Sequence, residues 1–446
     1  MNLSLTQRLK KIKTALYYVG VDLVSTLIVK GRTQGPPLQY MSIVLNPQEP
    51  AISRGIRTVG VGKKGSHALS DELIHEIFED LKSGKVFAAA KGAFLAGLLA
   101  KGLELQEEIL VGKDPQHLVQ TIAGDAPEFV QWVCLQLFSG QTLDKKTAYD
   151  LGCFLFSDQP GDGARGFIAS FLRVRYETDD EYEGLLQALQ ETLLPAFTKA
   201  VPSGEPLVQL AEPFDGVDHS TMITPLIGHY MQSLGYRAVH MVGKNSGPKM
   251  VMNLWDIAQE LGQPAMQGSN DLAASKPPFG WFGLQNSMSS AFERWHSIRL
   301  QTIKRPFMST IERFINPFKA DILIASAFHP SYGEKMLTIA ERAGFRGIAI
   351  VRNGIEGSVA FALKRPVKIL VSSRQKDGSY KRDEKIFELE KFLGVTVPLE
   401  ERVTPTAKEN AYLIKRYYSQ GSSGHQLFDW RVKVTCEGLK QAITSQ

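Results

Sequence analysis

The sequence is poor in cysteine. Its 446 residues include three, Cys134, Cys153 and Cys436, far apart and with no Cys-x-x-Cys pair. This excludes a cysteine-built zinc site and a disulfide framework, and it fits inert thiols in a reducing cytoplasm. Long apolar runs are also missing. Nothing approaches the roughly 20 consecutive apolar residues of a transmembrane helix, so no membrane association is expected. The opening MNLSLTQRLKKIK is basic but lacks the apolar core of a secretory signal. Net charge is only +5. The placement of charge therefore matters more than its sum. Hydrophobic residues make up 43% and charged residues 22% of the chain. That balance is typical of a globular protein, and the length has room for two or three domains.

The apolar pattern of residues 1–31 predicts an amphipathic helix, with Leu5, Leu9, Ile12, Leu16 and Val19 at helical spacing. Residues 31–68 read as irregular, because GRTQGPP and LNPQEP cluster glycine and proline. This stretch is expected to wrap over a surface rather than build a core. Beyond it, Ser70 is placed to cap a helix that Gly84 ends, and AAAKGAFLAGLLAKG forms a second helix. Gly92 and Gly97 would let a neighbour approach that helix closely. Sliding the sequence by 74 residues sets Leu69 on Leu143, Leu81 on Leu155, Lys91 on Arg165, Gly92 on Gly166, Leu98 on Leu172 and Lys101 on Arg175, without a gap. A duplicated helical unit is the expectation.

After VPSGEPL the texture changes. LVQLA, YRAVHMV, DILIASAF, RGIAIV and VKILVSS are short apolar runs, separated by helical segments such as STMITPLIGHYMQSLG, SYGEKMLTIAERAG and DEKIFELEKFLG. Buried strands alternating with helices predict an α/β fold with a mostly parallel central sheet. The expected organisation is an N-terminal helix and wrap over 1–60, a helical domain over 61–205 with repeats at 69–110 and 143–186, and an α/β domain over 206–446.

Three segments in order carry a family resemblance: LSDELIHEIFEDLKSGKVFAAAKGAFLAGLLAKGLELQEEI, FDGVDHSTMITPLIGHYMQSLGYRAVHMVGKN, and IRLQTIKRPFMSTIERFINPF followed by SAFHPSYGEKMLTIAERAGFRGIAIVRNGIEG. Together with the closing helices they resemble anthranilate phosphoribosyltransferase, of glycosyltransferase family 3. The resemblance covers about 61–110 and 205–445 and leaves 111–200 as an extra block. It implies a small helical domain beside an α/β domain, substrates in a cleft between them, and a homodimer formed through the helical domain. It further implies displacement of pyrophosphate from phosphoribosyl pyrophosphate by an aromatic amine, with Mg2+ on the leaving group.

Residue by residue, the resemblance places the phosphate loop at Ala211-Glu212-Pro213-Phe214-Asp215-Gly216. Asp215 and Gly216 remain there, while Glu, Pro and Phe replace flexible glycines. Pro213 lacks an N–H, and Glu212 would repel a phosphate if it pointed inward. His219, Ser220 and Thr221 follow as possible donors, and Ser220 or Thr221 also reads as a helix N-cap. Gly243, Lys244 and Asn245 stand for a second anion contact. Arg299 falls on an acceptor-carboxylate arginine, with Lys304 and Arg305 nearby. The acidic pair that would ligate magnesium falls on Val359 and Ala360, which ligate nothing, leaving Glu356 as a lone remnant.

The expected ligand is a phosphorylated small molecule, with the family's transfer altered or lost. An active protein would be a phosphoribosyltransferase with changed substrate or metal dependence. The alternative is a non-catalytic binder of nucleic-acid backbone. It would use the basic residues of 291–320 and 364–385, with Trp281, Phe282 and Trp295 available for stacking, although core packing is the favoured reading of these three.

Overall fold

A computed structural model describes residues 49–62, 65–112, 114–199, 204–329, 332–397 and 402–444. The helix expected over 1–31 and the GRTQGPP stretch lie outside them. Contacts divide the chain into two compact units. One is built from residues up to Leu143 with Asp158–Thr178 and Gln301–Phe307, the other from Asp144–Ser157, Asp179–Leu300 and Met308 onward.

The first unit is helical. It contains α1 (Ala51–Val59), α2 (Asp71–Lys82), α3 (Ala88–Lys101), α4 (Pro115–Ala123) and α5 (Glu128–Phe138). It also contains α7 (Asp162–Arg175), whereas α6 (Lys145–Leu155) belongs to the second unit. Helix α1 corrects the expectation of an irregular wrap up to residue 68. Ile52, Ile56 and Val59 recur at helical spacing and are buried. The Asp80 carboxylate accepts from the Ile52 N–H at 3.0 Å, and Arg57 pairs with Glu49 at 2.9 Å. The surrounding Gly and Pro had masked this short periodic run. Ser70 caps α2 as expected, accepting from the Leu73 N–H. Glu107 closes the hairpin from within: it is buried and accepts from the Leu69 N–H at 2.9 Å and from Lys101 at 2.7 Å.

The 74-residue offset holds for the helix bounds. Helices α2 and α6 begin 74 apart, and α3 and α7 both begin and end 74 apart. The cap moves with them, from Ser70 to Asp144, whose carboxylate accepts from the Thr147 N–H at 2.7 Å.

The second unit holds a seven-stranded sheet: β1 (Leu207–Ala211), β2 (Arg237–Val242), β3 (Trp281–Leu284), β4 (Ile322–Ala327), β5 (Gly347–Arg352), β6 (Val367–Arg374) and β7 (Tyr380–Phe387). The strand order is β3-β2-β1-β4-β5-β6-β7, parallel through β5 and antiparallel at β6 and β7. The α/β class and mostly parallel sheet follow the sequence expectation. Strands β1 and β2 are buried along their whole length, as central parallel strands are.

Strand β7 corrects the reading of DEKIFELEKFLG as a helix. Its first residues continue an edge strand, and only Leu389–Leu393 are helical. The strand turns back from β6 through Asp377-Gly378 and exposes Lys381, Arg382, Asp383 and Glu384, so its charges guard the sheet edge. The remaining helices of seven or more residues, among the described residues, are α8 (Asp179–Glu191), α9 (Thr224–Ser233), α10 (Leu254–Glu260), α11 (Ser290–Thr302), α12 (Gly333–Arg342), α13 (Ala407–Gln420) and α14 (Gln426–Thr444). Apolar faces of α9, α10, α13 and α14 share a core with β1, β2, β5 and β6. No described helix is long and apolar enough to cross a membrane.

Candidate functional site

In a sheet of this order the crevice for ligands lies beyond the strand C-termini, where the order reverses between β1 and β4. The segments after β1, β2 and β5 converge there, and they carry the residues singled out in the sequence.

After β1, Glu212 does not point at a ligand. It is 1% exposed and accepts from Thr224 Oγ1 at 2.6 Å, Ser358 Oγ at 2.9 Å and the Val359 N–H at 3.2 Å. Burial raises its pKa, against the pull of these donors and of Arg313. Phe214 lies against Gly243, so closely that a Cβ there would meet the Phe214 ring. Gly216 has a φ of +74° and sits against the Met252 carbonyl, a conformation and an approach that need glycine. Asn253 joins the two loops. Its Nδ2 donates to the carbonyls of Phe214 at 2.9 Å and Gly243 at 3.1 Å, while its Oδ1 caps α10. The Asn-x-x-Asp spacing of Asn253 and Asp256 was a visible capping signal in the sequence.

The backbone donors expected near His219 exist, and the chain fills them itself. Glu356 accepts from the Asp218 N–H at 2.7 Å and the His219 N–H at 2.6 Å, and Lys249 approaches it at 3.1 Å. Burial alone would raise the Glu356 pKa. The two N–H donors and the Lys249 charge outweigh it, so the carboxyl sits below its ordinary value. The carboxylate of Glu356 thus takes up two backbone N–H groups and a lysine that would otherwise be available to another group. Ser220 and Thr221 do not cap α9, correcting that expectation. The helix starts at Thr224-Pro225 after Ile223, which makes no side-chain cap. Thr221 instead accepts from Arg431 at 3.2 Å, and Asn410 pins the Met222 backbone by both its N–H and its carbonyl.

The residues do not fit a magnesium ion. Val359 and Ala360 are fully buried in the apolar core, and Glu356 is committed to N–H donors and Lys249. Among the described residues no group of three or more His, Cys, Asp or Glu side chains forms a metal site.

Lys244 and Asn245 follow β2 as expected, but both are engaged. Lys244 pairs with Glu293 at 2.7 Å and Asn245 donates to the Val251 carbonyl. Arg299 is turned inward. Its guanidinium meets both oxygens of Glu312 at 2.7 and 2.6 Å, with both side chains 4% exposed. Burial raises the Glu312 pKa while Arg299 opposes it. Glu312 was not singled out in the sequence; nothing in the spacing marks it as the partner of Arg299. Asp215 is buried nearby, close enough for its charge to act on Glu312. A narrow cavity lined by Phe214, Lys244, Asn286, Trp295, His296 and Arg299 has room for about one water.

Lys304 and Arg305 belong to the helical unit, not to the sheet unit that holds Arg299. Burial, then the charges of Arg57 and Arg305, push Lys304 down to about 8. A lysine whose folded pKa lies below its unfolded value destabilises the fold in full below about pH 8. That penalty disappears as the pH rises through the unfolded value near 10.4. Lys304→Met is therefore expected to stabilise the protein at pH 7 by up to ~3 kcal/mol, with the gain vanishing toward pH 10.5. Urea midpoints measured across that range check it, and an equal gain at both ends would contradict it.

Part of the basic complement of segments 291–320 and 364–385 is engaged internally. Arg313 is buried and donates to the Ser326 carbonyl at 3.0 Å. In 364–385, Lys368 pairs with Glu384, Lys385 with Asp383, and Arg382 with Glu334 and Glu341. Trp281, Phe282 and Trp295 are core residues at 5%, 1% and 1% exposure, in line with the core reading favoured for them in the sequence.

No protein-family model matches the chain. It is 23% identical over 313 residues to an uncharacterized protein of Aquifex aeolicus (strain VF5), spanning 68% of this chain and 92% of that protein. Among solved structures it is similar to anthranilate phosphoribosyltransferase from Thermus thermophilus, with a TM-score of 0.54 and 18% identity, over 71% of this chain and 90% of that one. The anthranilate phosphoribosyltransferase of Saccharomyces cerevisiae in complex with PRPP and Mg aligns at a TM-score of 0.48 and 12% identity, over 70% of this chain and 96% of that one. At these identities the likeness concerns the fold.

Proposed function

We propose that this chain keeps the fold of anthranilate phosphoribosyltransferase but has lost the transfer of phosphoribosyl groups to anthranilate, and acts as a non-catalytic relative. The observation that carries the proposal is the Glu356 carboxylate on the Asp218 and His219 N–H groups, with Lys249 beside it. An anionic substrate would have to displace a carboxylate already neutralised in place, and pyrophosphate leaving without a metal would lack its main charge stabilisation. Glu212, Phe214 and Val359 support the same reading, since each occupies space or donors that a phosphate loop needs free.

The test is direct. With phosphoribosyl pyrophosphate, anthranilate and Mg2+, the purified chain is expected to release no pyrophosphate above the buffer rate, and phosphoribosyl pyrophosphate should leave the melting temperature unchanged. Turnover at an ordinary enzymatic rate of about 1 per second or more would overturn the proposal.

A further inference from the structure

We infer that the contact between α3 and α7 is a two-fold self-association interface held inside one chain, the second helical copy acting as the partner of the first. The two helices occupy identical windows 74 residues apart. They also touch reciprocally. A Cβ on Gly92 of α3 would collide with the carbonyl of Gly163 in α7, and one on Gly166 of α7 would collide with the carbonyl of Ala89 in α3. Gly166 is the counterpart of Gly92, and Gly163 is the counterpart of Ala89. Position 92 of one copy therefore meets position 89 of the other, and the reverse holds as well.

That exchange defines an isologous, two-fold contact. Two helices that merely shared an Ala- and Leu-rich pattern would have no reason to cross at equivalent positions. The flanking pairs behave alike. Leu98 and Leu172 are both fully buried, as are Phe94 and Ile168. Lys91 is half-buried and its counterpart Arg165 fully buried, held by Asp162 at 3.2 Å.

A chain with one copy of this unit would satisfy such a face with a second chain. Here the second copy already fills it, so the face is closed to assembly between molecules. The homodimer through helical elements that the sequence resemblance implied is, on this account, made within a single polypeptide. Helix α7, within the extra block, is its other half.

Amide exchange on the full chain tests this, read alongside mass by light scattering across a dilution of about 100-fold. Protection in α3 and α7 should be the same at both ends of the series, because an intramolecular contact ignores concentration. Protection in either helix that falls as the chain is diluted and the mass halves would overturn the inference. A dimer through another surface, with α3 and α7 equally protected throughout, would agree with it. Gly92→Ala and Gly166→Ala supply an independent arm. Equivalent positions should lower the melting temperature by similar amounts, and the double variant should lose less than the sum because both damage one contact. If one variant is silent and the other severe, the reciprocity fails. Should either variant not fold, the exchange measurement on the unmodified chain still decides.

Discussion

Arg299→Ala is expected to destabilise the protein by about 3–5 kcal/mol, because it strands Glu312 as an unpaired buried charge. The two groups meet through both carboxylate oxygens at 2.6 and 2.7 Å. With each side chain only 4% exposed, neither has water to fall back on. Removing both charges should be far milder. Arg299→Met with Glu312→Leu replaces the pair by apolar volume and avoids the stranded charge, so most of the single-variant loss should return. A double-mutant cycle by urea unfolding measures this. The result also separates two roles for Arg299. An arginine kept for an acceptor carboxylate would tolerate alanine with little loss of stability and a large loss of binding. A stability change under about 1 kcal/mol would therefore contradict the structural role assigned to it.

The second large effect is expected at Glu356. Glu356→Ala should uncover an anion site: the N–H groups of Asp218 and His219 and the Lys249 ammonium lose their internal partner together. Sulfate should then raise the melting temperature of the variant and leave the parent unchanged. Without sulfate the variant should be less stable by about 1–2 kcal/mol, the scale of charged hydrogen bonds at a site that water partly screens. The pH dependence has a definite sign. The folded pKa of Glu356 is lowered, so its contribution is complete above the ordinary value of 4.5 and is lost as pH falls through the folded value. Glu356→Gln should accordingly lag behind the parent at pH 7 and converge with it in acid. Should sulfate shift parent and variant alike, Glu356 does not occupy the anion position.

Features set by residue type were legible in the sequence. Strands β1, β2, β4, β5 and β6 announced themselves as apolar runs because both faces of a central strand are buried. Strand β7 did not, since an edge strand carrying Lys381, Arg382, Asp383 and Glu384 has no apolar face to display. The departures from the resembled family's phosphate-loop glycines and acidic pair were visible as plain residue differences. The roles of the residues present instead were not, because they act across the chain. Glu356 reaches an N–H 138 residues away, and Glu212 reaches one 147 residues away. No local pattern encodes such a partner. Glu212 shows the limit well: the sequence marked it as hostile to phosphate if turned inward, but its actual partners, Thr224, Ser358 and the Val359 backbone, needed the fold. Helix α1 is the opposite case, a readable period overlooked because its flanks looked like loop.

The hydrogen bond from the Val359 N–H to Glu212 also constrains the order in which sequence changes can accumulate. Asp and Glu placed at 359 and 360 today would bring two more carboxylates against one that is buried and already hard to ionise. Any mutational route toward a metal-binding pair must first remove Glu212. That step alone leaves Thr224, Ser358 and the Val359 N–H without their acceptor. Each first move is a loss, so selection acting one substitution at a time tends to hold the chain where it is.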